Sequence, residues 1–148
     1  MAEFEIDPRL LRGSSPLASL SLCDARLLDD GRWPWIVLTP RRSGAREIEH
    51  LAPKDRAQLM EEAALAGSAV RAIGAALGRP VEKLNLGALG NQVPQLHLHV
   101  IGRRSDDPAW PGPAWGVAGA ESYGDASLAR AVAAALSILQ AGAVKAAS

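Results

Sequence analysis

With a single cysteine, Cys23, this 148-residue chain can form no intrachain disulfide. Its fold must therefore rest on its core, and a reducing compartment, the cytoplasm, is the expected location. A lone Cys without a matched base reads as a small buried hydrophobe rather than a nucleophile. An excess of charge of either sign is also missing, with 16 Lys plus Arg against 16 Asp plus Glu. That balance removes any general attraction to polyanions, so neither nucleic acid nor a membrane is expected as a partner. Lysine is scarce, at positions 54, 83 and 145 only, so the basic side is mostly arginine. The planar guanidinium fork suits phosphate, although surface arginine commonly serves solubility alone. No apolar run is long enough to cross a bilayer. The acidic start Met1-Ala-Glu-Phe-Glu-Ile-Asp-Pro lacks the apolar stretch of a signal peptide.

What is present reads as one α+β domain over residues 1–148, with no repeat period and no low-complexity linker. Leu20–Leu28 (LSLCDARLL) alternates imperfectly, Asp29-Asp30-Gly31 is a turn signal, and Trp35–Thr39 is β-rich until Pro40. A hairpin is expected there. Leu59, Ala63, Ala66, Val70, Ile73 and Leu77 recur at three- and four-residue steps after Pro53, which predicts one long helix ended by Gly78-Arg79-Pro80. Lys83–Leu89 and Gln95–Arg103 read as a second strand pair, and a C-terminal helix is expected over about 126–142. The order hairpin, helix, hairpin, helix argues for an antiparallel sheet of about five strands.

Alternation in Gln95–Arg103 (QLHLHVIGR) carries the chemistry. Side chains two apart in a strand share a face, so Gln95, His97 and His99 are expected on one side and Leu96, Leu98 and Val100 on the core side. The spacing alone leaves three readings open. The histidines are ordinary surface residues, or a metal site completed by His50, the remaining histidine, or a catalytic row using the nucleophilic imidazole.

The surrounding residues, Gly90-Asn91-Gln92-Val93-Pro94-Gln95-Leu96-His97-Leu98-His99-Val100-Ile101-Gly102-Arg103-Arg104, resemble the signature of the histidine triad (HIT) superfamily. That signature is a His-φ-His-φ-His-φ-φ strand preceded by a Gly-Gln-polar-Val turn and followed by Gly and Arg. Here Gln95 takes the first triad position, His97 the middle and His99 the third, as in a bacterial branch with Gln first. The resemblance extends more weakly from the first hairpin through Ile36-Val-Leu-Thr-Pro-Arg-Arg42 to the Trp-Pro-Gly loop.

The resemblance implies a HIT-like fold, a homodimer built around the long helix and an exposed sheet edge, and a purine nucleotide or nucleotide conjugate as ligand. It implies that His97 attacks the α-phosphorus to form a covalent nucleotidyl-histidine that water cleaves. His99 would hydrogen-bond the phosphoryl oxygens, and the other ring nitrogen of His97 would donate to a backbone carbonyl of its strand. Asn91 would add a neutral donor near the phosphate. Asn85 falls close to a family position that contacts the nucleotide, and Asp29 suits the ribose hydroxyls; plain turn and strand-end polarity explains both equally well. No cofactor is required by the residues present, and no metal is expected at the site; Mg²⁺ would enter, if at all, with a polyphosphate substrate.

Three departures stand out. Gln95 cannot relay a proton as imidazole can, which makes a nucleotide-binding or sensing module with impaired turnover the alternative to an enzyme. Gln92 replaces a small hydroxyl residue found in many relatives. Trp35 and Ser43 lie where many relatives carry a further His, and His50 comes several residues too late, reading as a surface residue. Trp110 and Trp115, flanking Pro111-Gly-Pro113, read as staples to the core rather than as walls of a pocket.

Overall fold

The computed structural model describes residues 3–147. A five-stranded antiparallel sheet in the order β1-β2-β3-β5-β4 forms its centre. The strands are β1 (Ser14–Ser19), β2 (Cys23–Leu28), β3 (Trp35–Pro40), β4 (Lys83–Gly87) and β5 (Leu98–Arg103). The helices are α1 (Pro8–Leu11), α2 (Pro53–Ala76) and α3 (Asp125–Ala147), with a 3₁₀ turn at Ile48–His50. This is the α+β architecture expected, with both predicted hairpins paired as antiparallel neighbours.

Sequence accounts for most of these elements. In β2 the residues alternate buried and half-buried, whereas all six residues of β3 are buried, as a continuous apolar run at the sheet centre requires. Pro53 opens α2, where its missing N–H costs nothing. At the far end Gly78 takes φ +71°, and the amides of Gly78 and Arg79 bond back to the carbonyls of Ala75 and Gly74. That left-handed glycine closure stops the helix where the Gly-Arg-Pro signal predicts. Strand β1 was not expected: it reads Ser-Ser-Pro-Leu-Ala-Ser, half serine, and Pro16 sits at a register irregularity on the sheet edge, where a missing ladder donor is tolerated.

One face of the sheet presents Ala25, Leu27, Ile36, Leu38, Leu98 and Val100 to the core, closed by α2 through Leu59, Ala63, Ala66, Val70 and Ile73. Ala131, Ala135 and Leu139 of α3 pack into the same core, so the C-terminal helix covers this chain's own apolar surface. Cys23 is fully buried there, and burial and then the neighbouring Glu62 push its thiol far up, as expected of an inert thiol. Leu98 lies on the core face, one residue from each histidine. Leu98→Ala is expected to cost about 2–5 kcal/mol in chemical denaturation; a negligible loss would mean that the two faces of β5 are reversed.

Candidate functional site

The second face of the sheet carries the histidines. His99 pairs across the sheet with Val37 on one side and Gly87 on the other, and the next row sets Trp35 and Asn85 beside Ile101. This face is not the open polar row that alternation suggests. Trp33, Trp35, Val37, Ile101 and Ala114 form a second apolar cluster there, with Trp115 packed against it. Gly87 is what lets Trp115 in, since a Cβ at position 87 would lie 2.9 Å from the indole ring.

His97 immediately precedes β5 and is 6% exposed. Its Nδ1 lies 2.6 Å from the carbonyl oxygen of Gln95. A carbonyl can only accept, so Nδ1 carries the proton and the neutral ring keeps its lone pair on Nε2. Among the described residues no protein group bonds Nε2, and it is not among the buried unpartnered atoms. The His97 and His99 rings meet edge to face, 4.9 Å apart. His99 Nδ1 accepts a 2.9 Å hydrogen bond from the indole Nε1–H of Trp35. Burial, and after it the neighbouring His97, pushes the His99 imidazole down to about 4.

That shift carries a stability consequence. The unfolded chain takes up a proton at position 99 near pH 6.5 and the folded one only near pH 4. The associated stability is therefore present above pH 6.5 and lost as pH falls from there toward 4. Urea denaturation of the wild type and His99→Asn across this window is expected to show a steeper acid-side loss in the wild type; parallel curves would contradict it.

Gln95 departs from expectation. The strand begins only at Leu98, and the Gln95 side chain does not join the histidines. Its Oε1 accepts from the amide of Asp7 at 2.8 Å, and its Nε2 donates to the carbonyl of Glu5 at 2.9 Å. An amide can donate and accept at once, so it pairs with extended backbone as a neighbouring strand would. What Gln95 supplies to His97 is its main-chain carbonyl.

The other candidates fall in different places. Asn91 and Gln92 are exposed on the loop leading to His97, and Gln92 holds the Arg9 guanidinium through its carbonyl. Asn85 stands on the histidine face, but its Oδ1 accepts from Arg103 Nη1 at 2.8 Å. Asp29 follows β2, and its carboxylate accepts from the amide of Tyr123. His50 is exposed, its Nδ1 accepting from the amides of Arg46 and Glu47. No three His, Cys, Asp or Glu side chains among the described residues are grouped so as to share a metal ion. A cavity of about 290 Å³ lined by Arg32, Leu77, Arg79 and Arg104 lies at the Arg103 end of β5 and contains none of the histidines.

Two features take their roles only from the fold. Arg103, 1% exposed, spans three elements, bonding Asp107 through two nitrogens at 2.8 and 3.0 Å, Asn85, and the carbonyl of Gly112. It ties the Pro-rich loop to the strand that carries the histidines. Trp115 lies 5.7 Å from His99 and 6.1 Å from Trp35, ring to ring. It staples its loop to the Trp33–Trp35 cluster and at the same time walls His99, whereas Trp110 is 40% exposed and stacks on Arg103.

A histidine at the entry to β5 whose Nε2 no described residue bonds, beside a second histidine on the strand walled by indoles, defines an imidazole centre on an α+β sheet. The HIT domain family matches residues 15–106, and the chain belongs to that family. Three solved structures of histidine triad proteins are similar to it. That from Sinorhizobium meliloti is 43% identical, covering 92% of this chain and 97% of its own, with a TM-score of 0.83. Those from Bradyrhizobium japonicum and Marinobacter aquaeolei are 34% and 38% identical, over 93% and 95% of this chain and 99% and 98% of theirs, with TM-scores of 0.86 and 0.82. No curated protein is a significant match. Family membership points to nucleotide chemistry, as a binding protein, hydrolase or transferase. No described helix is long and apolar enough to cross a membrane.

Proposed function

We propose that the protein is a nucleotide hydrolase or nucleotidyl transferase in which His97 Nε2 attacks the α-phosphorus of a purine nucleotide conjugate. The nucleotidyl-histidine so formed is cleaved by water. One observation carries the reading: the Gln95 carbonyl accepts a hydrogen bond from Nδ1–H of His97 and leaves the nucleophilic lone pair at Nε2. His99 then donates to the phosphoryl oxygens, where charge grows during attack. Asn91 and Gln92, exposed on the loop that leads to His97, are the candidates for the phosphates or leaving group, and Asp29 and Asn85 those for the nucleoside end. We further propose side-chain chemistry without a resident metal, in a cytoplasmic homodimer joined through the free edge of β4, where Leu86 and, just past the strand, Leu89 are each 44% exposed.

A second reading is a nucleotide-binding module with little turnover. It is favoured by the Gln95 side chain, which is non-titrating and committed to the N-terminal segment. Release of AMP from diadenosine tetraphosphate and from an acyl adenylate separates the two. Turnover lost in His97→Asn supports the enzyme; AMP binding with no release from either substrate supports the module.

A further inference from the structure

We propose that Trp35 is a positioning residue that holds His99 as a neutral Nε2–H donor, so that the site accepts leaving groups that depart as anions and rejects those needing a proton first. The second half of this inference rests on the nucleotidyl-transfer reading above; the first half does not.

An indole N–H donates and never accepts. With Trp35 Nε1 at 2.9 Å, His99 Nδ1 must present its lone pair, and the ring proton sits on Nε2. Protonating His99 would set an Nδ1–H against the indole N–H, donor against donor. Trp35 cannot swing away cheaply: it is 6% exposed and packs edge to face on Trp33 at 6.3 Å and Trp115 at 6.1 Å. The elements around His99 offer nothing that would favour an imidazolium. Val37 and Trp35 face it from β3, Gly87 from β4, Trp115 from the loop and His97 from its own chain segment. His97 is the one titratable group among them, and a proton on it would disfavour a second on His99. The low value at His99 agrees with this geometry.

The usual proton donors are thus all withdrawn. Gln95 does not titrate, and its side chain is bonded to residues 5 and 7. The Nδ1–H of His97 is held by a carbonyl. In the first step the Nε2–P bond forms and the bond from phosphorus to the leaving oxygen breaks, its electron pair departing with that oxygen. A carboxylate from an acyl adenylate, or a phosphate from a phosphoanhydride, leaves in this way at neutral pH with no proton supplied. The nitrogen of a phosphoramidate must be protonated before it can leave. In the second step a water oxygen bonds to phosphorus, the electron pair of the breaking P–N bond returns to Nε2, and the proton released passes to solvent.

The test uses the full chain and two readouts. Long-range ¹H–¹⁵N spectra of the ¹⁵N-labelled wild type between pH 7 and 5 are expected to show His99 protonated on Nε2 only and uncharged throughout. Trp35→Phe should lose this preference, giving mixed tautomers and a ring that titrates. Trp33→Phe, which removes an indole of the same cluster that does not bond His99, should keep it. By intact mass, adenylylation of the wild type by acetyl adenylate should outpace that by adenosine 5′-phosphoramidate by about a hundredfold or more, the scale of a missing general acid. If Trp35→Phe does not fold, the wild-type spectra and the substrate ratio still decide. An Nδ1–H or charged His99 in the wild type, spectra unchanged in Trp35→Phe, or equal rates with the two substrates would overturn the inference. Adenylylation by neither substrate, with His99 in the stated tautomer, would overturn the nucleotidyl-transfer reading and the leaving-group half, and would uphold the Trp35–His99 assignment.

Discussion

Arg103→Ala is expected to destabilise the protein by about 3–5 kcal/mol, because it removes one partner of a buried ion pair and strands the other. Asp107, whose side chain is 4% exposed, would keep a carboxylate without its guanidinium partner, supported by the amides of Arg104, Ala109 and Trp110. Burial pushes this carboxyl up, but the Arg103 guanidinium and those of Arg104 and Ala109 among the amides more than offset it and hold the group well below the usual carboxylate range. A depressed carboxylate contributes stability that is present above the unfolded value of 3.8 and lost as pH falls below it. The wild type should therefore lose stability in strong acid, and Arg103→Ala should already be impaired at pH 7. The damage would reach the histidines, since the same guanidinium anchors Gly112, three residues before Trp115. A loss under about 1 kcal/mol by urea denaturation, well short of the cost of a broken buried pair, would show that the loop is held by other means.

His97→Asn is expected to lower turnover of an acyl adenylate by about 10⁴-fold or more, the scale seen when a covalent nucleophile is removed. The stability change should be small, because Asn can still donate to the Gln95 carbonyl, and AMP should still bind. Steady-state kinetics and calorimetric titration of the same preparation separate the two effects. Residual turnover within tenfold of wild type would move the chemistry away from His97.

Much of this was legible in the sequence because it is local. Helix α2 follows from the spacing Leu59 to Leu77 with Pro53 before and Gly78 after it, and the core face of β5 from Leu98 and Val100. What escaped depends on distant pairing. Alternation extends through Gln95, but the partners of its amide, Glu5 and Asp7, lie some ninety positions away and nothing local announces them. Strand β1 hides behind Ser, Pro and an edge position. Arg103 sits at the end of the recognised motif and its partner Asp107 four residues on, yet sequence does not distinguish a buried pair from solvated charge. Trp35 was visible as a departure from relatives that carry His. Its bond to His99 follows only once β3 and β5 are placed side by side with Trp35 opposite Ile101.

The proposed chemistry requires a covalent bond between His97 and the nucleotide. Wild-type protein mixed briefly with acetyl adenylate and quenched at alkaline pH, which preserves P–N bonds, should gain one adenylyl mass per chain. Peptide mapping should place it on His97, and His97→Asn should show none. An unmodified wild type that nevertheless releases AMP, or an adduct mapped to any other residue, would contradict the mechanism.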